Sequence, residues 1–226
     1  SARGVAWGDI DGDGYIDIFV SQWDTANQLL RNLGNGGFEN VSASAGVAGN
    51  ATAQTSSACW ADFDGDHDLD LYVANYGSSD RLYRNDGTGT FTDVTSAAGV
   101  DDTGTSNYAV AAADIDNDGD LDLCTAGRLF LNATERGHWI ELDLVGDGEK
   151  VSRTPFGAVV RIELGDRTLT RFVEPGTGEG NQSATRLHFG LGGSQEPVNL
   201  EIVWPDGQKQ RVQQLPVNQI HQVLYQ

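Results

Sequence analysis

The chain has 226 residues, 33 acidic against 14 basic, for a formal net charge of −19. A charge of that sign argues against nucleic acid or an anionic membrane surface as a partner, since both select basic surfaces. Hydrophobic residues at 38%, with five Trp, six Tyr and eight Phe, exclude a disordered acidic tail, and no apolar run reaches the about 18 residues that a membrane-inserted helix needs. Met is absent and no signal peptide stands in the sequence, so the chain is expected to be processed or to be part of a longer polypeptide.

Taken in chain order, the first elements read as short strands. VAW (5–7) precedes an acidic loop, DIDGDGYID (9–17), and IDIFVS (16–21), QLLRN (28–32) and GFENVS (37–42) follow. Alternation, β-branched residues and Gly/Asn/Asp punctuation favour strands over helices. The pattern then returns. A second loop, DFDGDHDLD (62–70), leads into LDLYVA (69–74), RLYRN (81–85) and TFTDVT (90–95). A third, DIDNDGDLD (114–122), leads into LDLCTA (121–126) and is cut short at RLFLN (128–132). Asp9 to Asp62 is 53 residues and Asp62 to Asp114 is 52. A period near 50 marks a repeat architecture, and about four short strands per repeat is the blade of a β-propeller. The expected fold is all-β: partial propeller-type blades, about three repeats over residues 1–136, then a small β-sandwich or barrel-like domain over 137–226.

Charge concentrates in the repeats. Residues 1–136 carry 22 acidic and 6 basic residues, a net of −16. In the first loop Asp9, Asp11 and Asp13 hold positions 1, 3 and 5, Gly14 at position 6 permits a left-handed turn, Tyr15 at position 7 offers its carbonyl, and Asp17 at position 9 closes the shell. The second loop offers Asp62, Asp64, Asp66 and Asp70, with Asp68 at position 7; the third offers Asp114, Asp116, Asp118 and Asp122, with Asp120 at position 7. A flexible all-oxygen set suits Ca²⁺ better than Zn²⁺, Cu²⁺ or Mg²⁺. About three Ca²⁺ sites are expected. The loops are not EF-hands, because position 12 is Val20, Val73 or Thr125 rather than Glu and the flanks are strands. Solvated acidic turns are the bland alternative, and three copies at constant spacing weigh against it. His67 replaces the position-6 Gly and is expected in the left-handed region with some strain.

The C-terminal region continues in strands. FGAVVRIEL and RTLTRFVEP flank Gly165-Asp166, and NLEIVW and QKQRVQQ flank Pro205-Asp206-Gly207, two hairpin signals. The Gly-rich loop 174–183 is expected to be mobile, and Trp139, Phe156, Phe189 and Trp204 to be core. Cys59 and Cys124 meet in a disulfide if blades stack side by side; otherwise they are buried thiols. Sequons at Asn40, Asn50, Asn132 and Asn181 hint at a glycosylated surface. No catalytic motif is present, so no enzymatic activity is expected.

The three acidic loops and RLYRNDGTGTFTDVTSAAGV (81–100) resemble FG-GAP/VCBS repeats, the blades of integrin-α-type propellers. GHWIELDLVG (137–146), FGAVVRIELGDRTLTR (156–171), QSATRLHFGLG (182–192), NLEIVWPDGQKQRV (199–212) and LPVNQIHQV (215–223) resemble the ASPIC/UnbV domain that follows such repeats in the cartilage-acidic-protein family. The resemblance implies Ca²⁺ in the loops and an extracellular, secreted setting. The blade count is short of a closed ring, so further blades, cover by the C-terminal domain, or head-to-tail self-association into a fibre or coat is expected. The function read from the sequence is a secreted calcium-binding structural or adhesion protein. The alternative is a carbohydrate-binding or accessory module of a larger extracellular enzyme, using an exposed Trp.

Overall fold

The computed structural model describes residues 1–50, 52–101, 107–134, 137–165, 167–178 and 181–226. Its elements form an all-β fold of five small sheets. Blade 1 is β1 (Ala2–Gly8), β2 (Asp17–Gln22), β3 (Gln28–Asn32) and β4 (Phe38–Asn40), antiparallel and in sequence order, followed by the single helical turn α1 (Ser42–Ala45). Blade 2 repeats the plan with β5 (Thr55–Ala61), β6 (Asp70–Asn75), β7 (Arg81–Asn85) and β8 (Phe91–Asp93). Among the described residues blade 3 has three strands: β9 (Val110–Ala113), β10 (Asp122–Thr125) and the two-residue β11 (Leu129–Phe130).

The period-2 alternation of the strands explains how the blades stack. In blade 2, Ala58, Leu71 and Val73 face blade 1 and pack with Ala6, Phe19 and Leu29. Their neighbours Cys59, Ala61, Tyr72 and Ala74 face blade 3 and pack with Val110, Ala112 and Leu123. The middle blade is therefore covered on both faces, and all six residues of β6 are buried. Blade 1 buries only alternate residues of β2. The same parity separates the cysteines. Cys59 lies in the interface between blades 2 and 3, whereas Cys124 follows buried Leu123 and points away from it, exposed; both thiols are free.

The C-terminal region holds two facing sheets. One orders β15 (Leu187–Gly192), β12 (His138–Val145) and β18 (Gln219–Leu224), with β12 and β18 parallel. The other orders β14 (Arg167–Phe172), β13 (Val159–Leu164), β16 (Val198–Val203) and β17 (Lys209–Leu215). Ile140, Leu142 and Phe189 of the first meet Val160, Ile162 and Ile202 of the second in one core. Both expected hairpins form. β13 pairs with β14 from Val159↔Phe172 to Leu164↔Arg167, although Asp166 in its turn is outside the described residues, and Gly207 at φ +86 turns β16 into β17. Phe189 and Trp204 are core, but Phe156 is 42% exposed and Trp139 half-buried.

The Gly-rich segment behaves differently from its sequence expectation. Positions 179–180 are outside the described residues, but the rest is docked on the inner strands of the blades. Val5 N donates to Thr177 O (3.0 Å), Val110 N to Asn181 Oδ1 (3.0 Å), and Ala184 N to Ala112 O (3.1 Å). Thr177 is 1% exposed. The small residues allow this approach: a Cβ on Gly4 would stand 2.9 Å from Thr177 O. The sandwich also seats on the acidic ends of the blades, where the Trp139 indole occupies the space a Cβ on Gly119 (φ +95) would need.

That seat generates a prediction. Gly119→Val combines a left-handed backbone with a clash and is expected to destabilise the fold by about 2 kcal/mol or more. Gly36→Asn, also at positive φ (+88) but with nothing within 4 Å, is expected to cost less than about 1 kcal/mol. Urea denaturation followed by Trp fluorescence checks both.

Candidate metal centre

Each acidic loop is a tight turn folded around its own first carboxylate. Asp9 accepts from Asp13 N (3.1 Å) and Gly14 N (3.0 Å); Asp62 accepts from Asp66 N and His67 N (3.1 Å each); Asp114 accepts from Asp118 N (3.2 Å) and Gly119 N (2.9 Å). These bonds need position 6 left-handed, and Gly14, His67 and Gly119 have φ of +86, +87 and +95. His67 tolerates this with its ring turned outward onto the sandwich, where Nδ1 lies 3.1 Å from Gly190 O.

Ligand atoms of Asp9, Asp11 and Asp13 lie within 4.8 Å of one another, as do those of Asp62, Asp64 and Asp66, and of Asp114, Asp116 and Asp122. Asp17 and Asp70 stand outside the first two groups and Asp118 outside the third. The position-9 carboxylates act as ties. Asp17 bridges Ile10 N (2.9 Å) and Asn32 N (2.7 Å), Asp70 bridges Phe63 N and Asn85 N, and Asp122 bridges Ile115 N and Asn132 N. At position 7 the side chains turn away from the loop centre: Tyr15 is 49% exposed, and Asp68 pairs with Arg167 of β14. Asp120 donates its backbone N–H to Asp118 Oδ1 (2.9 Å).

The donor chemistry fits a cation. Asp11 Oδ1 and Asp64 Oδ1, both at position 3 and aimed into these clusters, are buried with no hydrogen-bond partner. A buried carboxylate oxygen left unpaired is costly, and a cation satisfies it. Burial lifts Asp9 and Asp62 to about 6, Asp17 to about 7 and Asp70 to about 8 from the ordinary 3.8, with neighbouring carboxylates adding to the rise. Burial also raises Asp11, Asp66 and Asp114. One fixed cation already serves the group. The Arg171 guanidinium of β14 draws Asp62 and Asp9 downward, and its Nη2 donates to His67 O (3.3 Å). In the third loop, Arg186 donates to Asn117 Oδ1 (3.0 Å) and pairs with Asp143 and Glu141.

The sequence reading missed the asparagines. Asn85 Nδ2 donates to Leu69 O (3.1 Å) in its own blade and to Ile10 O (2.8 Å) in the loop of blade 1; Asn132 Nδ2 does the same with Leu121 O (3.1 Å) and Phe63 O (2.9 Å). Each stitches its loop to the preceding one. The signal was in view: QLLRN, RLYRN and RLFLN all end in Asn. This use corrects the glycosylation expectation at two sequons. Asn132 spends its amide on two carbonyls, and Asn181 is 7% exposed with Oδ1 bonded to Val110 N. Asn40 and Asn50 are exposed.

Comparison with known proteins agrees with this architecture. The family described as FG-GAP-like repeat matches residues 9–73 and 62–125, and the family described as ASPIC and UnbV matches residues 148–226. The chain is similar to cartilage acidic protein 1 of Mus musculus, with 33% identity over 99% of this chain and 37% of the relative. It is also similar to the protein of that name from Homo sapiens, with 25% identity over 99% of this chain and 36% of the relative, and from Xenopus tropicalis, with 25% identity over 91% and 34%. The chain spans about a third of the length of the curated relatives it matches.

The raised carboxylates give the centre a pH signature. With chelator present, folded values above the unfolded 3.8 mean that the folded protein holds more protons. Their contribution to stability is then full below about pH 4 and is lost as pH rises through about 6 to 8. A bound divalent cation competes with those protons, so stability in its presence is expected to rise over the same window. Thermal melts at pH 5.5 and pH 8, with and without chelator, check the crossing (about the span of the shifted values).

Proposed function

From a chain that belongs to the FG-GAP-like repeat family and carries an ASPIC and UnbV domain, we propose a calcium-binding structural module of an extracellular protein. The observation that carries this reading is the pair of buried, unpartnered Oδ1 atoms of Asp11 and Asp64 inside all-carboxylate clusters. Oxygen-only donors in flexible loops suit Ca²⁺, and extracellular Ca²⁺ modules work at dissociation constants of about 10⁻⁴ to 10⁻³ M. One Ca²⁺ per loop neutralises like charges where the blades carry the sandwich. The relatives' name places them in cartilage, and the exposed Asn40 and Asn50 sequons suit a secreted surface. Removal of one inner carboxylate tests the sites singly. Asp11→Ala, Asp64→Ala and Asp116→Ala are each expected to lower bound Ca²⁺ by about one ion and to reduce the melting temperature in Ca²⁺ but not in chelator. Unchanged stoichiometry by equilibrium dialysis in any variant refutes that site.

The reading extends to assembly. Trp60 of blade 2 packs against Phe19 and Phe91 (centroids 6.2 and 5.8 Å), whereas its repeat counterpart Trp7 is 42% exposed on blade 1. On blade 3, Ile115 and Leu129 are 49% and 50% exposed. These are blade-docking faces left open, and head-to-tail self-association through them builds a structural assembly. Light scattering is expected to show oligomers in millimolar Ca²⁺ and monomer in chelator. A monomer in both assigns the faces to other blades and rejects self-assembly.

A further inference from the structure

The two clefts between blades are repeats of one another, and they are filled differently. Between blades 1 and 2 the blade 1 wall includes Ile10, Arg31, Val41 and Ala45. The hairpin joining β7 to β8 enters with Thr88, Gly89 and Thr90, leaving about 120 Å³. Behind it Phe91 is 7% exposed, its carbonyl lies 3.1 Å from where a Cβ on Gly46 would stand, and Ala45 is 3% exposed.

The counterparts of that wall, 53 residues on, are Phe63, Arg84, Val94 and Ala98, and they line the cleft between blades 2 and 3. Among the described residues blade 3 has no fourth strand, and no hairpin of theirs enters. The cavity measures about 460 Å³, Ala98 is exposed where Ala45 is buried, and Gly99 meets nothing within 4 Å where Gly46 meets the Phe91 carbonyl. Its floor is continuous with the interface core through Leu82, Val100 and Leu123. Beside it runs the unpaired edge of β11, with Leu129 and Leu131 50% and 58% exposed. At the cleft stands Arg84, which makes no ion pair among the described residues, whereas its counterpart Arg31 pairs with Glu39 of β4 (2.7 Å).

We propose that this cleft and the β11 edge take an extended segment of a partner protein as the fourth strand of blade 3. The segment places an aromatic side chain in the cavity, as Phe91 of β8 does in the cleft between blades 1 and 2. Open strand edges accept such segments through main-chain hydrogen bonds, and the adjoining pocket supplies selectivity. The pattern is the one that the other blades use: β4 reads Phe-Glu-Asn and β8 reads Phe-Thr-Asp. A second copy is a poorer donor, because both of these strands are already paired within their own blades.

A fluorescent peptide of sequence GTFTDVT, copied from residues 89–95, tests this by anisotropy with the full chain in millimolar Ca²⁺. Saturable binding is expected, weakened about tenfold or more when the peptide Phe becomes Ala, the scale of one buried aromatic ring. Ala98→Trp, which fills the cavity from an exposed position, is expected to weaken it as much. Should that variant misfold by circular dichroism, Arg84→Glu serves, and weaker binding is again expected. No saturable binding up to millimolar protein, or binding indifferent to these changes, overturns the proposal. So does a dimer that Ala98→Trp dissociates and the peptide does not, which makes a second copy the occupant.

Discussion

Repulsion between carboxylates is the constraint on which this structure turns. Fourteen aspartates fall in three short loops, all at the end of the blades on which the sandwich is seated. Several of them are buried, and burial, with neighbouring carboxylates adding to it, raises their proton affinities. Backbone N–H groups answer part of the demand, and Arg171 and Arg167 another part. The remainder falls on Oδ1 of Asp11 and Oδ1 of Asp64, which accept no hydrogen bond. Blade stacking, loop shape and domain docking thus share one electrostatic dependence, and it is this dependence that the proposed cations answer.

Much of the fold was legible because repetition averages out local ambiguity. One acidic loop is a weak signal, whereas three at near-constant spacing fix strand positions, turn positions and the left-handed residue at position 6, His67 included. The roles within the loop were less legible. Asp13 and Asp17 look equivalent in a list of alternating aspartates, but one joins the inner cluster and the other ties two backbone amides. That division depends on where β3 ends, a distance of 15 residues along the chain. Side-chain parity, not proximity of blades, decided the cysteines. The Gly-rich segment misled for a physical reason: absence of side chains permits mobility, and equally permits close backbone approach, and here Gly4 and Gly178 are the surfaces that touch.

The truncated third repeat shows what a missing element leaves behind. Blades 1 and 2 each end in a short fourth strand that begins with Phe: Phe91 packs back on blade 1, and Phe38 is exposed. Among the described residues blade 3 ends its strands at β11, and where a hairpin enters between blades 1 and 2 a cavity of about 460 Å³ stands between blades 2 and 3. The asparagine stitch survives this loss intact, since it needs only the end of the third strand.

The segment docked along the inner strands carries a mechanical consequence. A closed propeller sets the angle between blades by geometry: the ring must meet itself. The three described blades close no ring, and other contacts set that angle. Here Thr177 is held to blade 1 and Asn181 and Ala184 to blade 3, with Gly178 beside blade 2. The segment therefore works as a chord across the arc. Opening or twisting the stack works against these hydrogen bonds as well as against the interface cores and the asparagine stitches, so the neighbouring domain shares with the blades the task of holding their curvature.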